Sequence, residues 1–159
     1  MKRFPTGQYG RQRMQFNPAP STTPIRAFAA LMFPWCEDKV LVCDIDRRGW
    51  CIPSGRVEPG ESSMEAALRE AREEGGAIMS DVQYIGCYQM ASDSEVRWAD
   101  VFVGNIKELV EITHRTESLG RKLVGLEELP DMYHLWNPLT EMVFQYSYEV
   151  IQRSNARSR

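Results

Sequence analysis

Glu70, Glu73 and Glu74 fall at i, i+3 and i+4 in the run Met64-Glu65-Ala66-Ala67-Leu68-Arg69-Glu70-Ala71-Arg72-Glu73-Glu74. On a helix, that spacing gathers three carboxylates on one face. Like charges so close repel each other, and a hard divalent cation with oxygen ligands is the natural neutraliser. Arg69, four residues before Glu73, can orient that carboxylate or offset part of its charge. The plain alternative is a solvated, glutamate-rich surface, which is what most charge runs are. The helix alone does not decide between the two.

The elements around it must position these groups. Ser62 is a candidate N-cap, with Glu65 three residues on to complete a capping box, and Gly75-Gly76 ends the helix, which is expected over 63–74. Met64, Ala67, Leu68 and Ala71 form its apolar face, with the glutamates on the neighbouring one. A loop with Gly and Pro, 54–61, leads into it. Strands are expected over 25–33, ending at Pro34, and over 39–45. A turn over 46–49 and a short extended piece over 50–53 follow. Beyond the helix, strands are expected over 82–90 and 96–106, joined by a polar turn. Then come a loop over 107–120 and a short strand over 122–125. Asn137-Pro138 opens a last helix with Asn as N-cap, and Leu139, Met142, Val143, Tyr146 and Val150 recur at helical spacing. The expected class is α/β: a mixed β-sheet flanked by helices. Residues 1–24, with four prolines, read as an irregular arm with at most one short strand. Residues 25–153 read as the domain and 154–159 as a frayed tail.

Composition removes several function classes. A chain of 159 residues suits one domain. Net charge is −3 and the pI near 5.5, so the whole chain is not a basic nucleic-acid binder and no stable nucleic-acid partner is expected. No apolar run approaches the roughly 20 residues that span a bilayer, and no apolar stretch follows the basic start. A cytoplasmic protein with reduced, mostly buried thiols is expected, because Cys36, Cys43, Cys51 and Cys87 form no C-x-x-C pair. His114 and His134 have no partner at zinc-ligand spacing.

The loop and helix together carry a longer pattern. Gly55, Glu61, Arg69, Glu70, Glu73, Glu74 and Gly76 fill every fixed position of G-x5-E-x7-R-E-U-x-E-E-x-G-U, where U is apolar. Ala71 and Ala77 fill the apolar positions with smaller side chains than usual. Over residues 55–77 the chain therefore resembles the Nudix hydrolase family. Trp50-x-x-Pro53 ahead of the loop and Leu129-Pro130 before the last helix resemble it too. Ser54 is a departure, since many members carry a second Gly there.

The resemblance implies a Nudix fold, an α/β/α sandwich, and cleavage of a pyrophosphate bond in a nucleoside diphosphate derivative. It implies that Glu70, Glu73 and Glu74, with the Ser54 carbonyl, would bind two or three Mg2+ or Mn2+ ions. Glu61 would support the site and Arg69 would hold the glutamates. Family members differ in their general base. Glu117 is a candidate base or further metal ligand, with a surface glutamate as the alternative, and Glu111 and Glu95 are weaker choices. Asn137 resembles an Asn that meets the purine in relatives acting on oxidised purine nucleotides, a role compatible with capping. Arg26, Arg47 and Arg97 are candidates for phosphate contact, and Phe28, Trp35 and Trp136 for base stacking.

The runs Asp46-Arg47-Arg48-Gly49-Trp50 and Tyr84-Ile85-Gly86-Cys87-Tyr88 loosely resemble the small bacterial nucleoside triphosphatases. This favours a nucleoside triphosphate, such as 8-oxo-dGTP, cut to monophosphate and pyrophosphate. The alternatives are ADP-ribose, a dinucleoside polyphosphate, an RNA 5′ end, or a silent nucleotide-binding module. A small-molecule nucleotide partner is expected, and a homodimer is compatible with the family.

Overall fold

The computed structural model describes residues 2–113 and 117–158. Nine strands form one mixed sheet. They are β1 (Gly7–Tyr9), β2 (Gln12–Pro18), β3 (Ala29–Cys36), β4 (Lys39–Ile45), β5 (Gly49–Cys51), β6 (Ser54–Arg56), β7 (Ala77–Ala91), β8 (Val96–Leu109) and β9 (Ser118–Val124). Helix α1 is Ser63–Gly75 and α2 is Pro138–Arg157. The main path runs β1-β2-β7-β8-β3-β4-β5, with β6 added to β3 and β9 to β4. All pairings are antiparallel except β3 with β8.

The two helices cover opposite faces. Leu139, Val143, Phe144 and Ile151 of α2 pack on Phe33, Trp35, Val101 and Val103. Ala66, Ala67 and Ala71 of α1 pack on Ala30, Met32, Leu41 and Cys43 from the other side. This is the expected α/β/α layering. Alternation along β3 explains it: Ala30 and Met32 point to one helix, Leu31 and Phe33 to the other.

The ladder between β3 and β4 is short, holding only Trp35↔Val40 and Cys36↔Lys39. Beyond that the two strands part, and β6 takes the freed edge of β3 at Ala29–Leu31. Pro34 lies between these two stretches, so its missing N–H costs no bond to β4 or β6. That is why the strand continues through Pro34 rather than ending there. The parting of β3 and β4 puts Ser54–Arg56 within reach of both faces of the sheet.

Other expectations change. The supposed arm is a β-hairpin built into the sheet: β2 pairs with β7 from Arg13↔Ala91 to Pro18↔Gly86. Met14 and Phe16 are buried, and Phe4 packs edge-on against Phe16 and Tyr146. Burial of these apolar side chains outweighs the proline-rich, polar composition. The strands of the β7–β8 hairpin are longer than expected, starting at Ala77 and ending at Leu109. Strand β9 starts at Ser118, inside the expected loop. Helix α2 reaches Arg157, so most of the tail expected to fray is helical. Among the described residues, no helix is long and apolar enough to cross a membrane.

Candidate functional site

Helix α1 begins as its sequence requires. Ser62 Oγ accepts from the Glu65 N–H and the Glu65 carboxylate accepts from the Ser62 N–H. Its end is set by Gly76 at φ 60°, where a Cβ would stand 2.2 Å from the Val110 carbonyl oxygen. Its buried face differs from the expected one. Met64 and Leu68 are 39% and 36% exposed, whereas Glu70 and Glu74 are 9% and 4% exposed. The inner face is Ala66, Ala67, Glu70, Ala71 and Glu74, also a helical stripe, with alanines small enough to bring the helix close to the sheet.

Two of the glutamates thus point under the helix, onto β6. The Ser54 N–H donates to Glu74 Oε1 at 2.9 Å. Glu70 lies over Gly55, where a Cβ would come within 2.1 Å of Glu70 Oε1. This is a physical reason for glycine at 55. Glu73 lies nearer solvent, its side chain 23% exposed.

Arg69 joins the cluster. It holds Glu61 through two bonds, Nε to Oε2 at 2.8 Å and Nη2 to Oε1 at 3.0 Å. Nη1 donates to Glu70 at 2.8 Å and Glu73 at 3.1 Å, and Nη2 also donates to the Arg56 carbonyl at 3.0 Å. All five guanidinium donors are engaged. A single cation fixes two helix carboxylates and the loop at once.

The electrostatics follow from these partners. Glu61 also accepts from the Glu58 N–H. The Arg69 bonds, then the backbone bond, push Glu61 down to about 2. Burial pushes Glu74 up to about 7; Glu70 and Glu117 raise it further, while the Ser54 N–H and Arg48 oppose. Burial also raises Glu70, against the pull of Arg69. Glu117 is exposed, yet its charge is felt by both Glu70 and Glu74, so it borders the cluster. Its carbonyl accepts from the Asp46 N–H at 2.7 Å.

Strand β9 clamps the far end of α1. Ser118 Oγ donates to the Glu74 carbonyl at 2.6 Å. Arg121 Nη1 donates to the carbonyls of Gly75 at 3.1 Å, Gly76 at 3.3 Å and Val110. These two residues escape sequence reading, because only the fold brings β9 to the end of α1.

On the α2 side of the sheet, the same β6 segment forms the rim of a cleft of about 380 Å³. Its apolar lining includes Phe28, Leu31, Phe33, Tyr88, Met90 and Phe144. Arg48, Arg56 and Arg97 line it too, and no carboxylate does among the described residues. Phe28 is 37% exposed, with the Arg97 guanidinium 4.3 Å and the Arg56 guanidinium 5.2 Å from its ring centre.

The structure sorts the remaining candidates. Arg97 and Phe28 line the cleft. Arg26 instead braces the loop, donating to the Glu58 carbonyl at 2.6 Å. Arg47 is exposed at the turn after β4, and its neighbour Arg48, not singled out from sequence, is the one that lines the cleft. Trp35 is 1% exposed and donates to Ser147 Oγ at 3.1 Å, so it is a core residue and not a stacking platform. Trp136 packs against Tyr133 and Phe144 outside the cleft lining. Asn137 caps α2, its Oδ1 accepting from the Thr140 N–H at 2.9 Å, and does not line the cleft either. Glu95 pairs with Arg97 at 3.1 Å. Glu111 is exposed beyond the end of β8. His134 is described, while His114 lies outside the described residues.

The donor set suits a hard divalent ion: every charged donor is a carboxylate, negative charge exceeds the one arginine, and Gly55 keeps the space beside Glu70. As they stand, no three acidic, histidine or cysteine side chains among the described residues are grouped around one point. An ion would have to draw them from Arg69 and Ser54.

The chain is similar to several known proteins. YtkD of Bacillus subtilis, whose name gives a provisional 8-oxo-dGTP diphosphatase activity, is 34% identical over 93 residues, 58% of each chain. Mouse diphosphoinositol polyphosphate phosphohydrolase 3-alpha is 35% identical over 88 residues, 54% of this chain and 53% of that one. The chain thus spans a little over half the length of the curated relatives it matches. In fold it is similar to the Bacillus subtilis pyrophosphohydrolase BsRppH, at a TM-score of 0.73 and 22% identity over 97% of this chain and 98% of that one. A NUDIX hydrolase from Nitrosomonas europaea gives 0.65 at 20% identity, over 79% and 90%. The NUDIX domain pattern covers residues 25–146, and the chain belongs to that family.

Proposed function

We propose that this protein is a metal-dependent pyrophosphohydrolase that cuts a nucleoside triphosphate, such as 8-oxo-dGTP, to the monophosphate and pyrophosphate. One observation carries the reading: β6 is at once the floor under Glu70 and Glu74 and the rim of an aromatic, arginine-bearing cleft. A molecule bound across it would put an anionic linkage beside the carboxylates and a flat, apolar group in the cleft.

Glu70, Glu73 and Glu74 with the Ser54 carbonyl would hold Mg2+ or Mn2+, and Glu117, whose charge is felt by Glu70 and Glu74, would add a ligand or accept a proton. The ion would supply charge neutralisation on the diphosphate and a more acidic water. The chain's own part is positional. Arg69 fixes the carboxylates, Glu61 stays ionised to hold Arg69, and the cleft arginines attract and orient phosphate oxygens. The apolar lining excludes water from one side.

Among alternatives, the relative named for diphosphoinositol polyphosphates points to a densely charged substrate. The cleft has only three arginines around an apolar floor, which suits a base better than a polyphosphorylated ring. A panel of nucleoside triphosphates, ADP-ribose, dinucleoside polyphosphates and a diphosphoinositol polyphosphate, assayed with Mg2+ or Mn2+ and product identification, tests the reading. Turnover of another diphosphate with none of any triphosphate removes it in favour of that substrate. No turnover of any member leaves a nucleotide-binding module.

A further inference from the structure

The hairpin β1–β2 lies outside the family's segment of residues 25–146, yet it walls the cleft. We propose that this hairpin is the specificity element of the protein, and that Tyr9 and Gln12 meet the substrate's base. The inference rests on the nucleotide reading above and says where that nucleotide's identity is read.

The hairpin is held firmly. Strand β2 is laddered to β7 over six residue pairs from Arg13↔Ala91 to Pro18↔Gly86, with Met14 and Phe16 as its buried anchors. The row Met14–Met90–Arg97 crosses β2, β7 and β8 on the cleft side of the sheet. From β2 across β7 and β8 to β3 is three inter-strand steps, about 14 Å at the usual spacing. The β6 rim lies one strand further. Tyr9 and Gln12 line the same cleft as Ser54 and Gly55, so a nucleotide whose diphosphate lies at Ser54–Gly55 and whose base enters that cleft faces the hairpin wall.

Tyr9 and Gln12 are the polar residues the hairpin gives to the cleft lining. Tyr9 is 42% exposed, and Gln12 is half-buried. A tyrosine hydroxyl and a carboxamide each donate and accept, which is what reading a base edge needs. Arg48 lines the same cleft as Tyr9.

Neither side chain is a core anchor, so both can be changed in this chain without loss of fold. The experiment is isothermal titration calorimetry with the deoxynucleoside monophosphates, 8-oxo-dGMP among them, which bind without turnover. It compares wild type with Tyr9→Phe, Gln12→Ala and the double variant, each checked by its melting temperature. Wild type should prefer one base. Gln12→Ala and the double variant should weaken that ligand about tenfold or more and narrow its lead over the others, at an unchanged melting temperature. Equal affinities and equal preference in folded variants overturn the hairpin's role while leaving the hydrolase reading intact. Wild type that binds no nucleoside monophosphate overturns the inference together with the nucleotide assignment.

Discussion

Helix α1 and the cleft lie on opposite faces of one sheet, and both border Ser54–Arg56. They are built from opposite materials. The helix side is a cluster of carboxylates arranged by one arginine, its parts mostly within twenty residues of each other. The cleft side is aromatic and cationic, and its lining comes from segments as distant as Tyr9 and Phe144. On the proposed function the division would separate labour. The acidic side would take the shared part of the chemistry, a diphosphate and its cations. The other side suits what varies, the group attached to the diphosphate. If that division is real, substitutions on the two sides should fail in different ways.

The strongest separation is expected at Glu73. Glu73→Gln keeps the size of the side chain and removes a charge from the set proposed to hold the ions. Turnover should fall at least about 100-fold, while calorimetric affinity for a nucleoside monophosphate changes little. A variant that keeps its rate would show that Glu73 is not a primary ligand. A variant that loses monophosphate affinity equally would show that the two sides are not separable.

This contrast also explains what could be read from the chain. The capping box at Ser62 and Glu65, the αL stop at Gly76 and the Asn137 cap are local, so spacing alone places them. So are the glutamates and Arg69, whose bonds run within the helix or to the loop that precedes it. The apolar face of α1 was misleading for a physical reason. A helix that carries a site can bury Glu70 and Glu74 and leave Met64 and Leu68 outside, and hydrophobicity ranks those residues the other way. The cleft was hardly legible. Phe28 and Arg97 could be suspected from residue type, but the same argument chose Trp35, which is core. Only strand order puts the hairpin β1–β2, Arg48 and the β6 rim around one space, and strand order is a non-local property.

Gly55 is where the two sides touch, and Gly55→Ala should damage one without unfolding the whole. The added methyl would meet the end of the Glu70 side chain, a flexible group that can move aside. The stability cost should be modest, about 1 kcal/mol, and turnover should fall on the order of tenfold as Glu70 is displaced. Paired melting and steady-state measurements check this. A large loss of melting temperature with unchanged specific activity would show that Glu70 is structural.

On the cleft side, Phe28→Ala removes a ring held between Arg56 and Arg97. Stacking of a base on an aromatic ring contributes about 1–3 kcal/mol, so KM should rise about tenfold while kcat falls less. A fall in kcat at constant KM would place Phe28 with the carboxylates instead and collapse the division.

A further expected effect is on stability, and it isolates the acidic side from any substrate. In the folded, metal-free protein Glu74 titrates near 7, raised chiefly by burial, against 4.5 for an ordinary glutamate. Between those values the folded state holds a proton that the unfolded chain has released. Stability from this group is therefore fully present below about pH 4.5 and is lost as pH rises through 7, by up to about 3 kcal/mol. Glu70, also raised, acts in the same direction. Glu61 is shifted the opposite way, to about 2, so its contribution is complete above pH 4.5 and is lost only in stronger acid. The melting temperature of the chelator-treated protein should thus drop by several degrees from pH 5 to pH 8. Mg2+ should raise it more at pH 8, where Glu74 is charged, than at pH 5. Glu74→Gln should flatten the first trend. A melting temperature that stays level or climbs over that interval would mean that Glu74 is already ionised when empty, with its negative charge balanced by Arg48 and the Ser54 N–H alone.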